Sequence, residues 1–274
     1  MKVSIVTISY NQGQFLKRCI DSVLSQREDL FKIGVELEYI VVDPGSTDDS
    51  RQLIESYGDE ITKVFEKDKG PADGLNKGFA VATGDIYGYL NSDDVFTVGA
   101  LSFAFSYFDN YQGEFDVLSG AANLIGPDDE IYRSLYSDKY NSLAFAYSAC
   151  ILIQPSSFFT KDIYHKTNAF NISNKTNWDG ELFVDMGLVG AKFIAVDKIL
   201  SCYRVHEESI TGGMTTANKM IDYRNEMYER ITGKGISSYS RTAAIYFKYR
   251  RKLINYRDTL ERFTGGKCYG RTSK

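Results

Sequence analysis

Cysteine is scarce: Cys19, Cys150, Cys202 and Cys268 are the only four in 274 residues, and they stand far apart with no CxxC or CxxH pairing. That pattern excludes a zinc ribbon and a disulfide framework and points to a reducing compartment. Long apolar runs are missing too. The longest, Leu143 to Ile153, falls short of the ~20 residues that cross a bilayer. Met1 and Lys2 lead directly into the strand-like Val3 to Tyr10, leaving no room for a signal peptide's apolar stretch and cleavage site. The expected location is therefore cytoplasmic. There is no GxxxxGKS, GxxxxGKT or GxGxxG motif, no internal repeat and no low-complexity stretch.

What is present reads as a folded globular chain, with 43% hydrophobic and 25% charged residues. One large α/β domain, alone or with a tail, fits best. The net charge of -4 conceals an asymmetry: from Arg241 to Lys274 there are ten Lys/Arg against two Asp/Glu, a net +8 that leaves -12 on residues 1–240. An acidic body argues against a nucleic-acid partner, whose phosphates would need basic surface.

Through the first hundred residues, apolar runs rich in Val, Ile and Tyr alternate with segments of helical period, the pattern of βαβ units and a mainly parallel sheet. The expected strands are Val3 to Ser9, Leu37 to Asp43, Thr62 to Glu66 and Ile86 to Leu90. Helices are expected over Gln14 to Gln26, from Thr47 or Asp48 with Leu53 and Ile54 facing inward, and over Pro71 to Ala82. Beyond Phe96 the pattern predicts a helix to Tyr107, a strand over Val117 to Ile125 and later strands within Lys192 to Val205. Open parallel sheets bind ligands beyond the carboxyl ends of their strands, and the polar clusters lie there: Ser9-Tyr10-Asn11, Asp43 to Asp48, and Asn91-Ser92-Asp93-Asp94.

Each cluster has a bland and a functional reading. Asp43, at a strand tip, either makes an Asx turn or accepts a hydrogen bond from a nucleobase N–H, which an ionised carboxylate suits because it only accepts. Asn91 to Asp94 either cap a helix or supply oxygens to a hard divalent cation bridging a diphosphate, with Asp93 the leading ligand. In Gly70-Pro71-Ala72-Asp73-Gly74-Leu75-Asn76-Lys77-Gly78, two helix-weakening glycines mark close packing on the sheet or close approach of a ligand. Under the second reading Asp73 and Asn76 hydrogen-bond that ligand and Lys77 faces its phosphates.

Taken together, Val3 to Asn11, Asp43 to Asp48, Asp73 to Gly78 with Ala82 to Asp85, and Leu90 to Asp94 resemble, in order and spacing, the inverting family 2 glycosyltransferases with the GT-A fold, in a polysaccharide-building branch. The resemblance is specific to about residue 96 and traceable to about 211. It implies a UDP-, GDP- or dTDP-sugar donor, with UDP the first choice, Mn²⁺ or Mg²⁺ as cofactor, inversion at the anomeric carbon, and a glycan or lipid-linked glycan acceptor. It assigns residues 1–96 to the nucleotide-sugar-binding half, 97–211 to the acceptor and catalytic-base half, and 212–274 to a helical basic extension. Thr7, Ser9, Tyr10, Asn11, Asp43, Asp73, Asn76, Lys77, Asn91 and Ser92 are then expected at the donor. Two departures stand out. Pro44 replaces a second aspartate, and Asn91 replaces the first aspartate of Asp-x-Asp, which leaves Asp93 to carry most of the metal affinity.

In the second half, Trp178 to Met186 resembles the family's acidic pair at a helix start, which makes Asp179 the general base and Glu181 the fallback. The alternative makes Asp179 an N-cap and Glu181 a helix-dipole partner. Gln154 to Phe159 is similar to the segment beneath the acceptor, and Arg204-Val205-His206 with Ser209 and Thr211 to an element closing over the diphosphate, where His206 touches phosphate or metal. A sugar nucleotidyltransferase and a catalytically inactive nucleotide-sugar-binding module are the competing readings. The chain lacks the first one's Gly-rich basic loop and retains the Asp93 and Asp179 that the second would lose. Finally, Tyr246, Tyr249, Leu253 and Tyr256 share one helical stripe among Lys248, Arg251, Lys252 and Arg257. This stripe either lies on an anionic membrane, at the inner face of the cell membrane, or packs on the core or on a partner subunit of a homo-oligomer.

Overall fold

The computed structural model describes residues 1–206 and 217–264. Ser209, Thr211 and Cys268 therefore lie outside the described residues. Strands β1 (Lys2–Ile8), β2 (Glu36–Val42), β3 (Thr62–Val64) and β4 (Ile86–Asn91) pair in parallel in the order β3-β2-β1-β4. All four expected strands are present to within a residue or two at each end. The second half adds β5 (Val95–Phe96), β6 (Val117–Ile125), β7 (Ile131–Leu135), β8 (Ser157–Thr160) and β9 (Phe193–Arg204). From β4 the sheet continues through β8, β6 and β9 to β5, and β7 pairs with β6. Strand β8 is antiparallel to both β4 and β6, so the parallel run reverses there and the sheet is mixed. In the second half only the β6–β9 pairing is parallel.

The first half is wound by α1 (Gly13–Leu24), α2 (Arg27–Lys32), α3 (Ser50–Ser56) and α4 (Pro71–Val81), and α5 (Ala100–Asn110) follows β5. Successive residues of a strand point to opposite faces, and β1 feeds both layers in this way. Val3 and Ile5 meet Leu16, Ile20 and Phe105 on one side, while Val6 meets Leu75, Phe79 and Phe183 on the other. Helix α1 buries Phe15, Leu16, Cys19, Ile20 and Val23 against the sheet, each fully buried aliphatic side chain contributing ~1.5–3 kcal/mol. The start of α3 falls at Ser50 rather than Thr47 or Asp48. Asp48 is held outside the helix because its carboxylate accepts from Gly13 N at 2.9 Å and Ser50 N at 3.0 Å, bracing the starts of α1 and α3 together.

Helices α6 (Ser142–Ala146), α7 (Lys161–His165), α8 (Trp178–Leu188) and α9 (Ala217–Thr232) pack in the second half, followed by α10 (Arg241–Ile254) and α11 (Tyr256–Thr264). Arg230 of α9 reaches Glu181 of α8 at 2.8 Å and also pairs with Asp185. Helix α10 seats Phe247 against Ala144, Ala149 and Cys150 and stacks it on Tyr147 at 5.4 Å. Among the described residues no helix is long and apolar enough to cross a membrane.

Candidate active site

The register that pairs Ile8 with both Val42 and Asn91 sets the ends of β1, β2 and β4 side by side. Their polar continuations open into one cleft of about 850 Å³. Ser9, Tyr10, Pro44, Gly45, Asn91, Ser92 and Asp93 line it from the sheet, Trp178 and Asp179 from the start of α8, and Arg204 and His206 from the end of β9. Three segments far apart in the chain therefore meet at one place.

Asp43 is fully buried. Its Oδ1 accepts from Gly45 N at 2.8 Å and Ser46 N at 2.9 Å, the Asx turn of the bland reading. Its Oδ2 has no hydrogen-bond partner, and a carboxylate oxygen buried without a donor is costly unless a ligand supplies one. The turn thus uses one oxygen of this aspartate and leaves the other unpartnered. The hydroxyl of Ser9 is likewise buried and unpartnered beside the cleft.

Asp93 Oδ2 and His206 Nε2 lie 3.1 Å apart on the cleft wall. Arg204 fixes this meeting. Buried at the end of β9, it donates from Nε to the Asp93 carbonyl at 2.8 Å, from Nη1 to the carbonyls of Gly126 at 2.8 Å and Pro127 at 3.0 Å, and from Nη2 to Asp129 Oδ1 at 2.6 Å. Its backbone N also donates to Asp94 Oδ1 at 2.8 Å. Burial and the charge of Asp93 push the Asp94 carboxyl well above the usual carboxylate range. Among the described residues no three His, Cys, Asp or Glu side chains cluster as a complete cage. One carboxylate and one imidazole facing an open cleft nevertheless fit a cation whose other positions go to phosphate and water.

Asp179 faces the same cleft, and burial pushes its carboxyl above the ordinary range. Glu181 does not face it. Its Oε1 accepts from Asn171 Nδ2 at 3.0 Å and from Arg230, and its Oε2 from Asn174 Nδ2 at 2.7 Å, so this buried carboxylate ties a loop and α9 to α8.

Several expected donor residues are turned to structure. Thr7 is buried and accepts from the Tyr39 hydroxyl at 3.0 Å. Asn11, at φ 53°, accepts from Thr47 N at 2.8 Å and clamps the first strand-end loop to the second. Asp73 accepts from Lys69 N at 2.9 Å, Asn76 bonds the backbone of Phe170 at 2.8 and 3.0 Å, and Lys77 pairs with Glu66 at 3.1 Å. None of these five lines the cleft. Gly78 follows suit: a β-carbon there would sit 2.5 Å from Val6 Cγ1, so it is the sheet, and no ligand, that requires glycine.

Other residues lining the cleft escaped the sequence reading. Lys67 and Asp68 follow β3 as Asp43 follows β2, and the same strand-end rule would have flagged them. Burial raises the Asp68 carboxyl. Gln154, noted only within its segment, donates to the Tyr89 carbonyl at 2.8 Å and accepts from Asn91 Nδ2 at 3.3 Å, holding the amide that replaces the usual aspartate. Tyr89, whose hydroxyl is buried beside Asp179 without a partner, carried no signal beyond its strand.

A half-parallel sheet with acidic strand ends around one cleft is the GT-A fold, and solved structures share it. The fold matches Staphylococcus aureus TarS 1–349 in complex with UDP-GlcNAc, with a TM-score of 0.67 at 17% identity over 96% of this chain and 74% of that one. It also matches glucosyl-3-phosphoglycerate synthase from Mycobacterium tuberculosis in complex with Mn²⁺, UDP and phosphoglyceric acid, with a TM-score of 0.60 at 15% identity over 86% and 80%. In sequence the chain is 25% identical over 241 residues to chondroitin synthase of Escherichia coli, covering 86% of this chain and 32% of that protein. It spans less than a third of the length of the first curated relatives it matches. The family model described as Glycosyl transferase family 2 matches residues 4–167, and the chain belongs to that family.

Proposed function

We propose that this chain transfers one sugar, with inversion, from a nucleoside-diphosphate sugar to a hydroxyl of a glycan or lipid-linked glycan. The observation that carries the reading is that Asp93, His206 and Asp179, contributed by three distant segments, line one cleft. Asp43 Oδ2 accepts the nucleobase N–H, while Ser9, Asn91 and Ser92 face the donor along the strand ends. Asp93 and His206 hold a divalent cation. An imidazole beside a carboxylate suits Mn²⁺ better than the strictly oxygen-seeking Mg²⁺, and the glucosyl-3-phosphoglycerate synthase structure contains Mn²⁺. When bound, the cation supplies positive charge against which the departing diphosphate is stabilised.

Asp179 accepts the proton of the acceptor hydroxyl as that oxygen bonds to the anomeric carbon. On the opposite face the bond from that carbon to the diphosphate oxygen breaks, and its electron pair leaves with the nucleotide. The raised Asp179 carboxyl makes a stronger base than an exposed aspartate would be. UDP is the leading nucleotide, because the TarS and glucosyl-3-phosphoglycerate synthase structures hold UDP-GlcNAc and UDP. A reducing, cytoplasmic setting is consistent with the free Cys19, Cys150 and Cys202.

A panel of UDP-, GDP- and dTDP-sugars, assayed for metal-dependent nucleotide release and then for binding of the corresponding diphosphates, tests this reading. One nucleotide class should stand out. Release of pyrophosphate from UTP or GTP with a sugar phosphate would replace it with nucleotidyl transfer.

A further inference from the structure

We propose that the outward face of α10 is an attachment surface for an anionic lipid bilayer. The helix reads Arg-Thr-Ala-Ala-Ile-Tyr-Phe-Lys-Tyr-Arg-Arg-Lys-Leu-Ile and contains no Asp or Glu. Its inward face is settled by contacts: Phe247 enters the cluster of Ala144, Ala149 and Cys150, and Arg251 donates to Asp138 Oδ2 at 2.6 Å and Asp258 Oδ2 at 2.9 Å. At 100° per residue the opposite direction falls on Ile245, Tyr246, Tyr249 and Leu253. These four stay 56%, 61%, 62% and 79% exposed, and Tyr256 of α11 stays 56% exposed. The stripe therefore does not pack on the core. The other face of the helix does.

Charge selects the occupant. Arg241, Lys248 and Lys252 fall on one flank of the stripe and Arg250 on the other, and all four are exposed. Lys252 Nζ lies over the Tyr249 ring at 5.3 Å, so cation and aromatic share the rim. An apolar stripe with two interfacial tyrosines and basic flanks matches a helix lying in the headgroup region of an anionic membrane. A second copy docking through the same face would set four cations against four.

Asn255 Nδ2, just past α10, donates to the Tyr136 carbonyl at 2.9 Å and to Asp138 Oδ1 at 2.7 Å, and Asp138 Oδ2 accepts from Ile151 N at 2.7 Å. Ile151, and Leu135 next to Tyr136, line the cleft. The helix is thus bonded to segments that bound the site. Attachment needs no catalysis, so the claim stands or falls apart from the reading of glycosyl transfer.

The test is co-sedimentation of the full chain with vesicles of phosphatidylcholine alone and of phosphatidylcholine with phosphatidylglycerol. Binding to the second only, released by high salt, is expected. The Tyr249→Ser, Leu253→Ser variant should lose it. Lys248→Glu and Lys252→Glu should each weaken it by at least about fivefold, the worth of one cation near such a surface. These side chains are exposed, so the variants should melt with the parent and release nucleotide at the parent's rate on a soluble acceptor. Two outcomes would overturn the proposal: equal sedimentation of parent and variants, or no sedimentation together with a concentration-dependent dimer that Leu253→Ser dissociates.

Discussion

His206 Nε2 stands 3.1 Å from Asp93 Oδ2, although 113 positions separate the two in the chain. The pair exists because Arg204 pins the end of β9 to the Asp93 carbonyl. It predicts that Asp93→Ala abolishes transfer and that His206→Ala weakens Mn²⁺-dependent binding of the nucleoside diphosphate by at least about tenfold, or ~1.4 kcal/mol. Calorimetric titration with and without Mn²⁺ reads both, and without metal the parent and variants should bind equally weakly. Asn91→Asp should stay active, but its new carboxylate would face Gln154 Oε1, so Tm should drop by the worth of about one hydrogen bond. Activity that survives both EDTA and Asp93→Ala would remove the metal from the reaction.

Asp43→Asn isolates the unpartnered oxygen from the turn. Asparagine can keep its carbonyl toward Gly45 and Ser46 but then sets an N–H donor where the base's own N–H must point. A buried donor facing a donor costs roughly 1–3 kcal/mol, so donor KM should rise by about tenfold to a hundredfold while kcat and metal affinity change little. Unchanged donor affinity would reduce Asp43 to a turn residue.

The two acidic residues at the start of α8 should separate cleanly. Asp179→Asn should lower kcat by ~10²-fold or more with donor binding intact, because the amide cannot take a proton. In the parent, activity should fall on acidification through an ionisation above the ordinary carboxylate range, since burial raises the Asp179 carboxyl. The same shift has a stability consequence of fixed sign. Within the window between the ordinary and raised values the folded state binds more protons than the unfolded, so stability falls as pH rises through it. Asp179→Asn should therefore melt higher than the parent at neutral pH. Glu181→Gln should do the reverse, lowering Tm by breaking the Arg230 pair and sparing kcat far more than Asp179→Asn does.

The strand–helix alternation of the first half was legible because each element carries its own period, and the strand-end rule then located the cleft. Strand β8 was not legible. Its four residues, Ser157–Thr160, follow Gln154-Pro155, and its place is set only by pairing with the distant β4 and β6. Asp93, Asp179 and His206 line the cleft and Asp43 lies just before the lining Pro44, whereas Asn11, Asn76 and Lys77 brace loops. Amides, carboxylates and amines serve both tasks with the same chemistry, so sequence alone could not divide them. The glycines of α4 show the same ambiguity, since Gly78 meets Val6 across the sheet interface.

Gly180 supplies the last prediction, because it stands beside Asp179 in the first turn of α8, where alanine would ordinarily stabilise a helix by ~1 kcal/mol. Here a β-carbon would lie 2.5 Å from the hydroxyl of Tyr223, which α9 lays against that turn. Gly180→Ala should therefore lower Tm and, by shifting Asp179, lower kcat as well. The Tyr223 hydroxyl is buried without a hydrogen-bond partner, so Tyr223→Phe alone removes no bond and should be neutral or slightly stabilising. Combining the two changes should restore most of what Gly180→Ala loses, a coupling a double-mutant cycle reads directly. If the double variant is no better than Gly180→Ala, the contact between α9 and the turn carrying Asp179 is not what requires glycine there.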